Sequence, residues 1–152
     1  MNATAERRAV GRYRTFTEIT ALVRAFEDAS LPREEWTHQA HLTVALWYLL
    51  TRPRPEQAVA CIRDGLRRYV RAHGIVETPE GGYHETLTLF WIRVVSRQLA
   101  ESDLDCALAV LANRVIARCA DKGLPLAYYS RERLWSPEAR AGWVEPDLQP
   151  LE

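Results

Sequence analysis

Between Ala40 and Leu50 every residue except His41 and Thr43 is apolar. A helix that is apolar around nearly its whole circumference cannot lie on a surface; it needs packed neighbours on all sides. The flanking sequence supplies them. Phe16, Ile19, Leu22, Val23 and Phe26 recur at helical spacing and predict a first helix to about Ala29. Pro32 restricts Leu31 and has the φ of a first helical turn, so the second, central helix is expected from Pro32 to about Thr51.

After the break Arg52-Pro53-Arg54-Pro55, a third helix has Val59, Ile62, Leu66, Tyr69 and Val70 inward and Arg63, Arg67, Arg68 and Arg71 outward. It ends at His73-Gly74, where glycine can take the left-handed cap. Ile75 to Gly82, with Pro79 and Gly81-Gly82, reads as a loop. A fourth helix is expected from about Tyr83 to Ala100. A fifth follows Ser102-Asp103 as N-cap, with Leu104, Leu108, Leu111, Val115 and Cys119 inward. From Asp121 the chain is rich in proline and aromatics, with short helical turns near 130–134 and 136–141. No alternating strand pattern competes. The expectation is all-α: an arginine-rich, flexible arm over residues 1–15, then one domain over 16–152. That domain is a bundle of about five helices with an irregular tail packed on it.

The 152 residues fit one domain. Twenty basic and twenty acidic side chains give zero net charge, which argues against non-specific nucleic-acid binding. No apolar run reaches the ~20 residues of a membrane span, and Met1 to Arg14 lacks a signal-peptide core. Cys61, Cys106 and Cys119 fall in apolar helical patterns and read as small reduced core residues of a cytoplasmic protein.

The informative residues are polar ones where the pattern asks for apolar ones. His38 and His41, three apart on the central helix, lie on neighbouring strips of one face with Cβ atoms about 5–6 Å apart. Both are expected to point inward. His84 opens the fourth helix on a strip continuing through Thr88, Trp91 and Val95, and Glu27 borders the buried stripe of the first. Three inward histidines and a carboxylate on three helices can form a metal centre of the kind bundles build between facing helices. The ordinary alternative is that each imidazole meets a carbonyl or hydroxyl in the core. The His-x-x-His spacing has no glutamate between its histidines, so it is not the zinc-protease helix. His73, before glycine at a helix end, reads as structural.

Glu85 in a first helical turn is either a dipole-favoured carboxylate or, beside His84, a ligand, a hydrogen-bond partner or a general base. Thr86 and Thr88 divide between helix-start hydrogen bonding and substrate contact. Trp36, Trp47 and Trp91 read as core packing. In the tail, Tyr129, Arg133 and Arg140 are candidate substrate contacts, the arginines as clamps on a carboxylate or phosphate. The other reading pairs those arginines with Glu138, Glu145 or Asp147.

Three blocks carry a resemblance: Phe26-Glu27 with Leu31-Pro32 and Trp36-Thr37-His38-x-x-His41-Leu42; Gly82-Tyr83-His84-Glu85-Thr86-x-Thr88; and Tyr129-Ser130 with Ala139-Arg140 and Pro146-Asp147-Leu148. Together they resemble a family of small all-helical bacterial proteins. The resemblance spans most of the chain from Phe26 onward and implies a bacterial, cytoplasmic setting, but supplies no activity. A looser analogy, to four-helix-bundle hydrolases and transferases that use three histidines, differs in ligand spacing and transfers no chemistry.

Two enzyme readings and one binding reading follow. In the first, His38, His41, His84 and Glu27 hold one divalent first-row ion (zinc, iron, copper, manganese or nickel). Glu85 or Tyr83 then moves a proton for a small-molecule substrate bound by Thr88, Tyr129, Arg133 and Arg140. The second has no metal: His41 or His84 is a general base oriented by Glu27 or Glu85. The third is a ligand-binding or interaction domain whose histidines only hydrogen-bond within the core. Metal, substrate and oligomeric state stay open.

Overall fold

A computed structural model describes residues 13–78 and 81–152. The expected arm over residues 1–12, and Pro79, lie outside them. Seven α-helices are present among the described residues: α1 (Phe16–Glu27), α2 (His38–Thr51), α3 (Pro55–Ala72), α4 (Glu85–Ala100), α5 (Leu108–Arg118), α6 (Arg131–Leu134) and α7 (Pro137–Ala141). The first five are the expected bundle, and α6 and α7 are the two turns expected in the tail. No strand occurs among the described residues, only an isolated bridge between Thr78 and Gly81.

As its composition demands, α2 is the central helix. It packs against α1, α3, α4 and α5, and Leu42, Thr43, Val44, Ala45, Leu46 and Tyr48 are all buried. Residues from every one of these helices meet around it, among them Ile19 and Phe26, Ile62 and Tyr69, Val95, and Leu111 and Val115. Full burial of each aliphatic or aromatic side chain contributes about 1.5–3 kcal/mol. A second cluster of Phe90, Tyr129 and Leu134 lies under the tail. The tail is strapped down by backbone bonds: the buried Thr86 hydroxyl donates to the Gly142 carbonyl at 2.8 Å and accepts from Val144 N–H at 3.2 Å.

Several helix ends differ from the sequence expectation, each for a local reason. Pro32 precedes a short 3-10 turn (Arg33–Glu35) rather than opening α2. The true N-cap is Thr37, whose hydroxyl accepts from Ala40 N–H at 3.2 Å. Asp103 does not cap α5: its carboxylate accepts from Asp105 N–H at 2.9 Å, closing a turn, while Ser102 donates its hydroxyl back to Gln98. The helix therefore starts late, at Leu108, and Leu104 is exposed. Gly74 does take the left-handed conformation after α3, with φ +61°.

Tyr13 and Arg14 were expected in the loose arm, but Tyr13 is held. Its backbone exchanges two 2.8 Å hydrogen bonds with the Asn113 side chain, and its phenol meets Thr43 at 2.9 Å. Of the cysteines, Cys119 is buried as expected, Cys61 half-buried and Cys106 exposed; all three are free thiols. Cys106 is outside the core because the segment carrying it is not helical. Among the described residues no helix is long and apolar enough to cross a membrane.

Candidate functional site

Each of the four histidines faces a backbone carbonyl, and because a carbonyl only accepts, each imidazole is the donor. His38 Nε2 donates to Cys119 at 2.8 Å, His73 Nε2 to Ala29 at 2.9 Å and His84 Nε2 to Leu134 at 2.7 Å. His41 Nδ1 donates to Thr37 at 2.7 Å within its own helical turn. The rings also pack: His38 against the edge of Trp91, His41 on Trp36 and His73 on Tyr69. His84 does one thing more. As N-cap of α4, its Nδ1 accepts from Leu87 N–H at 3.1 Å, so both ring nitrogens are engaged.

A carbonyl bond on one nitrogen is how a metal-bound histidine is usually oriented, so His38 and His41 keep one nitrogen each that such a role would use. His84 keeps none. Glu27, expected at the buried border, is exposed, because α1 ends there and turns it to solvent. His41, expected inward, has its outer edge in water beside Trp36, and His38 is half-buried. Among the described residues no group of three or more His, Cys, Asp or Glu side chains is placed to hold one ion. His38, His41, His84 and Glu27 are therefore not brought together around one point.

Burial lowers the pKa of His38 and of His84; the charge of Lys122 adds to the first and that of Arg140 to the second. Crowding, and then the neighbouring His38, also lower His41.

The structure does bring together Tyr83 and Glu85, the two candidate proton carriers. The Tyr83 hydroxyl donates to Glu85 Oε2. From α3, Arg63 forms an ion pair with the same carboxylate, its Nε lying 3.0 Å from Oε1 and 3.2 Å from Oε2. Burial opposes charge on Glu85, but the bonds from Arg63 and Tyr83 and the charges of Arg63 and Arg67 outweigh it, so the carboxyl stays below its ordinary value. Burial, then the adjacent carboxylate, push the Tyr83 phenol up to about 12. One turn on, the Arg67 guanidinium lies over the Tyr83 ring, 5.0 Å from its centre.

Beside this cluster lies a shallow cavity of about 320 Å³. Arg67, Val70 and Arg71 of α3 line one side, Glu77 and Tyr83 the loop side, and Arg140 and Ala141 of α7 the third. Arg140 reaches it by bridging three carbonyls: Gly81 at 2.9 Å and Tyr83 at 3.1 Å through Nη1, and Thr78 at 2.9 Å through Nη2. These bonds follow from α7 laying it across the loop.

Of the other candidate contacts, Thr88 lies beside the Tyr83 phenol, while Tyr129 and Arg133 lie elsewhere. Tyr129 is fully buried and donates to the Val144 carbonyl at 2.8 Å. Arg133 donates to the Glu145 carbonyl, and Thr88 bonds back to His84 O at 2.8 Å along its own helix. Trp36, Trp47 and Trp91 pack against the core as expected.

Arg63, Arg67, Arg71 and Glu77 were not singled out as site residues in the sequence. The available signal was the i, i+4 repeat Arg63-Arg67-Arg71, which places three guanidiniums on one strip, together with Tyr83-x-Glu85. Read alone, that strip is an ordinary solvated face. No protein family, curated protein or solved structure matches the chain.

Proposed function

We propose that this protein is a helical binding domain for a small anionic molecule, held in the cavity between α3, the loop carrying Tyr83, and α7. The observation that carries this reading is the charge of the cavity wall. Arg67 and Arg71 line it, with Arg140 held by carbonyls beside them, against Glu77 as the one carboxylate among the described lining residues, while the nearby Glu85 is already taken by Arg63 and Tyr83. Guanidinium forks match carboxylate and phosphate oxygens. A volume of about 320 Å³ is at the small end of ligand sites.

The same groups favour binding over proton transfer. A general acid or base works best with a pKa near the working pH. Glu85 is held below the ordinary carboxylate range and Tyr83 is raised to about 12, so neither is poised near neutrality. Glu85 instead fixes the Tyr83 ring against which Arg67 lies.

The test is calorimetric titration with inorganic phosphate, ethyl phosphate and propionate at low ionic strength. Binding of at least one of these anions is expected, with the double variant Arg67→Ala/Arg71→Ala weaker by about tenfold or more, since charge-assisted bonds contribute about 1.5–3 kcal/mol each. Equal binding by the double variant would sink the reading.

A further inference from the structure

His84 is buried, and its two ring nitrogens have opposite requirements. Nε2–H donates to the Leu134 carbonyl, whereas Nδ1 must keep its lone pair to accept from Leu87 N–H at 3.1 Å. An imidazolium carries hydrogen on both nitrogens. A proton at Nδ1 therefore sets N–H against N–H, removes the cap, and places a positive charge at the positive end of the α4 dipole. Burial and the charge of Arg140 on α7 oppose that proton, and the Leu134 carbonyl favours it without outweighing them. At the end of α6 the ring also meets Trp135 edge to face, with centres 5.6 Å apart. The other nearby charges are directed elsewhere. Glu85 is held by Arg63 of α3 and by Tyr83, Arg133 bonds the Glu145 carbonyl, and Arg131, Glu132 and Glu138 are exposed.

The place of this cap gives one proton a long reach. Thr86 lies in the turn of α4 that His84 caps, and its hydroxyl holds the Gly142 carbonyl and the Val144 amide. Within the tail, Tyr129 bonds the Val144 carbonyl and Leu148 N–H bonds the Tyr128 carbonyl, so the tail is tied to itself. We propose that His84 is a proton-operated latch: one proton at Nδ1 frays the first turn of α4 and releases residues 134–144 from it, while the bundle stays folded. The apolar contact of Phe90 with Tyr129 does not titrate and keeps the base of the tail in place. Arg140 still ties α7 to the Thr78 and Gly81 carbonyls. Release therefore changes the shape of the cavity that α7 lines, whatever the cavity holds.

Amide hydrogen exchange of the full chain, followed by NMR from about pH 7.5 to 4, tests the latch. The Leu87 and Val144 amides are expected to exchange well before those of Val95 and Val115 in the bundle. Their protection should fall by up to about tenfold for each pH unit below 6.5, the linkage of one proton taken up on release. In His84→Asn, which caps α4 without titrating, that fall should disappear. Unchanged protection in the parent, or a fall that survives in His84→Asn, would overturn the latch. Exchange in step with Val95 and Val115 would do the same, since the tail would then leave only when the bundle unfolds. The parent alone gives a second measurement: the Leu87 and Val144 signals should shift with the midpoint of the His84 ring. A ring that titrates while both amides stay unmoved would also overturn the proposal.

Discussion

His84 and Leu134 are joined at 2.7 Å by a hydrogen bond from the imidazole Nε2 to the backbone carbonyl, across fifty residues of sequence. The same ring caps α4 through Nδ1, so one side chain both starts a helix and anchors the tail to it. His84→Ala removes a cap worth about 1 kcal/mol. It also strands the Leu134 carbonyl, at a further cost of about 1–3 kcal/mol. A loss of about 2–4 kcal/mol is expected in urea unfolding. His84→Asn, which keeps a capping acceptor but is too short to reach Leu134, should fall between the two proteins. An unchanged midpoint for His84→Ala would show that neither bond matters to stability.

Acid should destabilise the fold in two stages. The folded pKa values of His38 and His84 lie below the ordinary 6.5, so the unfolded chain takes up protons first. Stability is therefore complete above about pH 6.5 and declines as the pH falls from there towards the folded values. Glu85, also lowered, adds a second decline below its ordinary 4.5, as the pH falls through its folded value. Thermal midpoints measured from pH 7.5 to 4 should show the first decline, and His84→Asn should flatten it. A midpoint that rises on mild acidification would contradict the sign.

Glu85→Gln keeps the shape of the Tyr83–Glu85–Arg63 cluster and removes its negative charge. Arg63 retains 32% of its side-chain exposure, so water compensates for part of the loss, and the cost should be about 1–2 kcal/mol. The more specific readout is Tyr83. Its pKa of about 12 owes part of its rise to Glu85 and should drop towards 10 in the variant. Ultraviolet titration of the phenols would detect it, and an unchanged profile would mean that the two side chains do not interact in solution.

Gly65 is where the backbone of α3 lies against the Phe26 ring of α1. A methyl there would lie 2.6 Å from Cε1 of Phe26. The Phe26 ring is fully buried and stacked on Trp36 at 4.7 Å, so it has little room to retreat. Alanine would gain up to about 1 kcal/mol of helix propensity but force overpacking of about 1–3 kcal/mol. Gly65→Ala is expected to lower the thermal midpoint; a raised one would show that the ring swings aside.

Among the described residues no three His, Cys, Asp or Glu side chains are placed to share one ion, so chelation should leave the fold untouched. Protein purified without metal affinity and dialysed against EDTA is expected to keep its thermal midpoint within about 1 °C, since a ligand that binds only the folded state would raise it. A clear fall on chelation, reversed by one added first-row ion, would restore the metal reading.

What the sequence determined by itself was the fold class and the buried faces. Periodicity over Phe16–Phe26 and the apolar circumference of Ala40–Leu50 are local properties, and they assign α1 and the central α2 because a helix carries its buried surface in its own spacing. Gly74 was legible for the same reason: the left-handed cap is a preference of one residue. What a polar atom meets is not local. His38 finds a carbonyl 81 residues away, and Arg63 turns from a solvated strip to Glu85. The sequence marked His84 as out of place on an apolar pattern and left Glu85 between a dipole-favoured carboxylate and a chemical role; only packing decided that one would cap and anchor and the other would pair. Apolar burial is indifferent to its partner, whereas a hydrogen bond requires one particular atom within about 3 Å, and tertiary structure alone brings that atom there.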